Sequence, residues 1–310
     1  VKTFDSKATE ARLPFDRLIP ALRQMFVDGC EVPRRHSHAL ARRADIADTL
    51  LIMPAWQEGR YLGIKHVTIY PENGARGWPG LHSSYTLFDA RNGRPLSIID
   101  GDQITVRRTA AASALAAGYL ARQDAARLLV VGAGNVARAL APAYAAVRAI
   151  DTVEIWDIDP GKAEALAAGL RDQGLRARCV AELEPAARQA DIITCATLSR
   201  APLIHREWLR PGTHLDLIGS FQPGMREADD ATFADTSVFV DTGEALEKSG
   251  DLLSPMALGL FDAGKLRATL EDLCRGAHPG RRSDDEITVY KAVGTASEDL
   301  AAAILVYETA

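Results

Sequence analysis

Cysteine is scarce in this chain: four in 310 residues, at Cys30, Cys179, Cys195 and Cys274, with no CxxC pair among them. That spacing provides neither a zinc site nor a dithiol redox pair, and it suits a reducing compartment, so a cytoplasmic setting is expected. Cys179 and Cys195 sit in apolar, strand-like runs and read as buried structural thiols. Long hydrophobic runs are missing too. None approaches the roughly 18 residues of a membrane-spanning helix, so no membrane partner is expected. The opening Val1-Lys2-Thr3-Phe4-Asp5 shows no apolar secretory core. Nor is there a basic excess. Lys and Arg number 36 against 41 Asp and Glu, a formal net charge of -5, which argues against nucleic acid as a bulk partner. Low-complexity segments and internal repeats are also lacking.

What is present is the composition of an ordinary soluble globular protein, with 47% hydrophobic residues and a length beyond what one hydrophobic core usually serves. Two domains are therefore expected. Pro14 to Asp28 reads as a helix with Leu18, Leu22 and Met25 on one face. Short β-like runs follow at Thr49–Met53, Tyr61–Tyr70, Ser84–Asp89 and Leu96–Asp100, with turn signals such as Glu72-Asn73-Gly74 between them. Their short connections predict antiparallel pairing. Thr105 to Ala121 is an Ala-rich helix with a small-residue face.

From Arg127 the pattern changes to strand–helix alternation. Strands are predicted at Leu128–Val131, Val153–Trp156, Arg176–Val180, Asp191–Ala196, His214–Ile218 and Val238–Val240, and helices at Asn135–Ile150 and Pro160–Gln173. Alternation of this kind indicates an α/β fold with a doubly wound parallel sheet. Pro142 falls inside the first of those helices, where a kink is expected. The last segment, from Ile287, reads as a strand or loop and then a helix from about Ser297.

The clearest motif is Val131-Gly132-Ala133-Gly134-Asn135-Val136-Ala137, a G-x-G-x-x-A run between a buried strand and a helix. Gly132 allows the tight turn, Gly134 lets a pyrophosphate approach the backbone, and Ala137 lets helix pack on strand. The N–H groups of the first helical turn then face the anion. On its own the motif is weak. Here the next strand ends in Asp157, about where a Rossmann unit carries the acid that binds the adenine ribose. No Arg adjoins Asp157, so NAD(H) is favoured, with NADP(H) as the alternative. Gly132 through Ala137 and Asp157 are thus the candidate cofactor-binding residues.

On the substrate side, Gly63-Ile64-Lys65-His66-Val67 puts a lysine in an apolar strand. Lys65 is either a buried proton donor or a lysine reaching solvent from a strand edge. Arg108 opens the Ala-rich helix and suits a carboxylate clamp. Arg34 and Arg35 offer a second clamp or a solvated basic pair, and His82 a proton relay or a structural histidine.

These residues together resemble the ornithine cyclodeaminase/mu-crystallin family. The resemblance runs through Gly63-Ile64-Lys65, Pro71-Glu72-Asn73, Leu87-Phe88-Asp89-Ala90, the run Arg108 to Ala116, the glycine loop, Cys195-Ala196-Thr197 and Gly294 to Leu300. It implies a homodimer of two-domain subunits. Residues 1–122, completed by 287–310, would bind substrate and dimerise, and 123–286 would form the Rossmann domain. It further implies that Lys65 is the active-site lysine, Arg108 the principal carboxylate-binding arginine, Arg35 the second, and Thr197 a cofactor-loop residue. One departure bears on activity. Cyclodeaminases of the family carry an aspartate where this chain has Phe221, in Ile218-Gly219-Ser220-Phe221-Gln222-Pro223-Gly224. Phenylalanine cannot pair with a substrate ammonium, but it can cover a small ring.

The function expected is therefore NAD(P)H-dependent reduction of a cyclic imino acid, Δ1-pyrroline-2-carboxylate or Δ1-piperideine-2-carboxylate, to L-proline or L-pipecolate. Lys65 and Arg108 would be catalytic, and Arg35, Lys65, Arg108 and Phe221 substrate-binding. The alternatives are ornithine cyclodeaminase, an alanine-dehydrogenase-like oxidoreductase and a low-turnover, crystallin-like ligand-binding protein.

Overall fold

Period-two alternation of buried and exposed residues makes the first third of the chain a sheet with one dry face. The computed structural model describes residues 1–43 and 46–310. Its first unit comprises 1–109 and 295–310. The elements are β1 (Lys2–Phe4), α1 (Ser6–Ala11), α2 (Phe15–Asp28), β2 (His36–Arg43), β3 (Ile46–Trp56), β4 (Tyr61–Ile69), β5 (Leu81–Asp89) and β6 (Pro95–Asp100). They form a six-stranded sheet in the order β1-β6-β5-β4-β3-β2, antiparallel from β2 to β6, with β1 added parallel to β6.

Gly63, Lys65 and Val67 on β4, and Tyr85, Leu87 and Asp89 on β5, face the dry side. Helix α2 buries Leu18, Leu22 and Met25 as its spacing predicts, with Pro14 at its N-cap. The C-terminal helix, Ala296–Glu308, packs on α2 and across β3, β4 and β5. Strand β2 and β1 have no counterpart among the strands read from the sequence, because neither run is apolar enough to stand out.

The second unit, 110–294, begins within α3 (Gly101–Leu120). It continues with β7 (Arg127–Val131), α4 (Ala137–Ala145), β8 (Thr152–Trp156), α5 (Pro160–Asp172), β9 (Ala177–Cys179), α6 (Leu183–Gln189), β10 (Ile192–Cys195) and β11 (His214–Leu217). Then come β12 (Ser237–Val240), α7 (Ala245–Lys248), α8 (Gly250–Ala257), β13 (Ala268–Thr269), α9 (Leu270–Arg275) and β14 (Thr288–Lys291), before α10, the C-terminal helix already described. The eight-stranded sheet is parallel, in the order β13-β12-β14-β11-β10-β7-β8-β9. Strands β10, β11, β12 and β14 are buried at every position, so no alternation survives, as in a sheet covered on both faces. Strand order reverses at β7, which has β8 on one side and β10 on the other. The carboxyl ends of β7 and β10 therefore flank the crevice where such sheets bind ligands.

Three expectations need correction. Residues 287–294 do not complete the first domain, because β14 lies between β11 and β12 in the second sheet. The division also falls at Thr109 instead of residue 122. The reason is local: the guanidinium of Arg148 donates to the carbonyls of Ala117, Gly118 and Ala121, and that of Arg281 to Leu120, tying the end of α3 into the second unit. The helix after the glycine loop is also shorter than expected. It passes through Pro142 but ends at Ala145. Beyond it the N–H groups of Val147 and Arg148 both donate to Tyr144 O, which is a turn and not a helix.

Gly63 stands under the ring of Tyr85, where a Cβ would overlap the phenol hydroxyl. Gly63→Ala should therefore destabilise the protein by about 1–3 kcal/mol, the usual cost of overpacking. A urea titration reads it as a lower midpoint at unchanged slope; a midpoint equal to the parent's contradicts this packing.

Candidate functional site

In the first unit four charged side chains meet in the dry layer between sheet and helix. Lys65 comes from β4, Arg108 from α3, and Glu298 and Asp299 from the first turn of α10. Lys65 Nζ donates to Asp299 Oδ1 at 2.9 Å and Oδ2 at 3.0 Å. Arg108 Nε donates to Asp299 Oδ1 at 3.0 Å, and its Nη1 to Glu298 Oε2 at 2.6 Å. Lys65 is 3% exposed and Asp299 not at all, which settles the sequence alternatives for Lys65: it is buried. Two cations face two carboxylates, so the cluster is neutral. Glu298 and Asp299 also sit in the first turn of α10, at the positive end of its dipole.

Burial pulls the Lys65 ammonium below the ordinary lysine range; Asp299 resists that fall, and Arg108 adds to it. Tyr85, in register with Lys65 on the neighbouring strand, has its hydroxyl pushed well above the phenol range by burial and then by Asp299.

The other first-unit candidates differ in placement. Arg35 is half-buried and lies one residue before His36, which is in register with Ile52. Lys65 is in register with Met53, the next residue along β3, so Arg35 runs level with the row that holds Lys65. His82 is exposed on β5 and in register with Thr68; its odd spacing from Tyr85 turns it to the opposite face from Lys65. His82 is thus not brought to the cluster. Glu298 and Asp299 escaped the sequence reading as site residues. A signal existed: α10 is apolar along its length, so two acids in its first turn had to be buried, and buried acids need cations.

In the second unit the glycine loop opens a cavity of about 930 Å³, lined by Gly132, Ala133, Gly134, Asn135, Asp157 and Thr197 among others. Gly132 has φ 104, a left-handed backbone, and a Cβ there would lie 2.8 Å from Ala196 O. Only glycine fits where the loops after β7 and β10 touch. Asp157 Oδ2 accepts from Ala133 N–H at 2.7 Å and Oδ1 from Asp159 N–H at 2.8 Å. The carboxylate at the end of β8 therefore also braces the glycine loop. Arg138 and Lys162 are further residues of the cavity wall. Val136 and Ala137 are not on that wall: Val136 is the N-cap of α4, and Ala137 is buried as the helix packs down. Phe221, in the loop after β11, is 43% exposed. Among the described residues no group of three or more His, Cys, Asp or Glu is arranged to hold a metal ion.

Removing one partner from the buried cluster leaves charge uncompensated. Asp299→Asn should cost about 3–5 kcal/mol of stability, measurable by chemical denaturation. A loss under about 1 kcal/mol, the range of exposed pairs, contradicts a dry cluster.

The sequence pattern of the ornithine cyclodeaminase/mu-crystallin family matches residues 7–310. A Delta(1)-pyrroline-2-carboxylate reductase of Paracoccus denitrificans is 43% identical over 254 residues, covering 81% of this chain and 80% of that protein. Among solved structures, Thermococcus litoralis Delta(1)-pyrroline-2-carboxylate reductase in complex with NADH and L-proline has a TM-score of 0.93 at 32% identity, covering 99% of this chain and 97% of that one. An archaeal alanine dehydrogenase dimer with bound NAD has a TM-score of 0.91 at 28% identity, covering 99% and 95%. With its glycine loop, its buried lysine and arginine and its full-length match, this chain belongs to the ornithine cyclodeaminase/mu-crystallin family.

Proposed function

We propose that the protein is an NAD(H)-dependent oxidoreductase that reduces the C=N bond of Δ1-pyrroline-2-carboxylate to give L-proline, with the six-membered Δ1-piperideine-2-carboxylate as its homologous substrate. The observation that carries this reading is the similarity, over both units, to relatives named Delta(1)-pyrroline-2-carboxylate reductase. Phe221 supports it, standing where a cyclodeaminase aspartate is expected.

The second unit fits a dinucleotide. Its glycine loop brings bare backbone to the cavity, and Asp157 stands at the end of the second strand, where an adenine ribose is bound in such sheets. A reduced dinucleotide bound there would supply the hydride that the imine carbon needs. Asp157 repels a 2′-phosphate and so favours NADH; Arg138 and Lys162 on the same cavity wall are the cations that NADPH use would need.

The first unit supplies the rest of the chemistry. Arg108 binds the substrate carboxylate with a guanidinium already oriented by Glu298 and Asp299. Lys65 donates the Nζ proton to the ring nitrogen as negative charge develops there, so hydride and proton together complete the reduction of C=N to CH–NH. Burial makes the ammonium a readier acid than an exposed lysine, while Asp299 keeps it charged until the proton is needed. The imino acid enters this step as a carboxylate with an unprotonated ring nitrogen, so it takes its proton from Lys65 and brings no cation to the cluster. Ornithine would add a cation for which no carboxylate is left over in the cluster. The subunits form a homodimer in this reading, as stated of the archaeal alanine dehydrogenase.

NADH consumption with each imino acid tests the assignment. Lys65→Ala should lower kcat roughly 10²–10⁴-fold. Arg108→Ala should chiefly raise KM, by the equivalent of about 2–5 kcal/mol. Asp157→Ser should weaken NADH use and improve NADPH use relative to it. In the parent, kcat/KM should fall at alkaline pH as Lys65 loses its proton. Asp299→Asn removes the carboxylate that holds that proton, so the fall should move to lower pH. An alkaline limb unmoved by Asp299→Asn and by Lys65→Ala rules Lys65 out as the acid.

A further inference from the structure

Behind the cavity wall of the second unit lies a carboxylate that the proposed reaction does not use. Glu227 is fully buried. Its Oε1 accepts from the N–H of Thr197 at 2.7 Å and from the Thr197 hydroxyl at 2.8 Å, and its Oε2 accepts from Gly219 N–H at 2.6 Å. Thr197 opens the loop after β10 and Gly219 the loop after β11, so one carboxylate joins two loops at the carboxyl ends of adjacent strands. The joint is tight. A Cβ at Gly219 would overlap both the Thr197 carbonyl and the Glu227 carboxylate. The β10 loop in turn meets the glycine loop, where a Cβ at Gly132 would lie 3.1 Å from Thr197 Cγ2. Glu227 is itself held: Asp251 Oδ1 accepts from its N–H at 2.8 Å and from that of Ala228 at 3.1 Å.

The surroundings are rich in acid. Lys291 on β14 has its Nζ 3.7 Å from Asp251 Oδ2 on α8, and Arg226 Nε lies 3.7 Å from Asp251 Oδ1. Asp216 on β11 and Asp241 after β12 also feel the Lys291 charge, and the Cys195 thiol on β10 feels that of Glu227. Among these groups the carboxylates outnumber the cations.

We propose that Glu227 is a positioning residue for the dinucleotide: its ionised carboxylate holds the loop after β10 against the glycine loop, and protonation slackens that hold. The proposal rests on the reading that the cavity takes NAD(H). Three donors converge on Glu227; a protonated carboxyl turns one oxygen into a donor and accepts all three bonds without the help of a charge, so it holds them more weakly. Burial pushes its pKa up to about 7, Lys291 opposing the rise and Asp251 adding to it. The ionised form therefore fills as pH climbs through neutrality, and cofactor affinity should rise with it.

Direct NADH binding, followed by nicotinamide fluorescence between about pH 6 and about pH 8.5, tests this without any turnover. The parent should bind about tenfold more weakly at the acid end, the scale of one charge-assisted hydrogen bond. Glu227→Gln, which mimics the protonated form, should show that weak affinity at every pH. Glu227→Asp keeps the charge but shortens the reach, so it should bind more weakly than the parent at high pH while retaining a pH slope. Parent affinity that is flat with pH overturns the proposal. So does a Gln variant that binds like the parent at high pH, or an Asp variant that does so should the Gln variant not fold. A parent that binds no dinucleotide at any pH overturns the cofactor reading itself, a different result from flat binding.

Discussion

Lys65 and Arg108 occupy a dry layer where an unpaired ammonium or guanidinium would cost several kcal/mol, and the contact with Asp299 is what permits both. Much of the first unit follows from it. The two carboxylates have to arrive on a helix whose remaining positions are apolar enough to close the layer, and α10 does so from the far end of the chain. Gly63 has to lack a side chain so that Tyr85 can fill the space beside the lysine. The sheet has to alternate strictly, because a register slip by one residue would turn Lys65 out to the other face and leave Asp299 buried alone. Buried ion networks are weak sources of stability compared with apolar packing. In the proposed reaction this cluster serves chemistry instead: Lys65 would be the acid and Arg108 the carboxylate clamp, both oriented by direct contact with Glu298 and Asp299.

The second unit solves a different problem, which is to bring backbone N–H groups close to a polyanion. Its constraints are steric before they are electrostatic. Gly132 and Gly219 are both positions where a methyl group would strike a neighbouring loop. Carboxylates brace these approaches from outside: Asp157 accepts from Ala133, and Glu227 from Thr197 and Gly219. The loops at the sheet's carboxyl edge are thus held by side chains of the second unit and not by their own turns alone.

The sequence made the second unit legible because its signals are local. A G-x-G-x-x-A run, an acid one strand later and buried strands separated by helices are all patterns within a few tens of residues. The first unit was legible in its antiparallel runs and in Lys65 and Arg108. What stayed hidden was long-range. Asp299 is 234 positions from Lys65, and no periodicity announces a pair so far apart. Strand β14 looked like a return to the first domain because position along the chain says nothing of which sheet a short strand enters. Glu227 was invisible for the same reason: its partners Thr197 and Gly219 are set by the parallel register of β10 and β11, not by spacing. His82 shows the converse, since a histidine near the lysine in sequence faces away from it once strand parity is known.

Reductase and lyase readings part on where hydrogen ends up. The most direct measurement is mass spectrometry of the product formed from Δ1-pyrroline-2-carboxylate and NADH doubly deuterated at the nicotinamide C4. The account predicts L-proline carrying deuterium on Cα, with no ammonia released from ornithine and NAD⁺ under the same conditions. Failure to form labelled proline, with ammonia and proline appearing from ornithine instead, would contradict it.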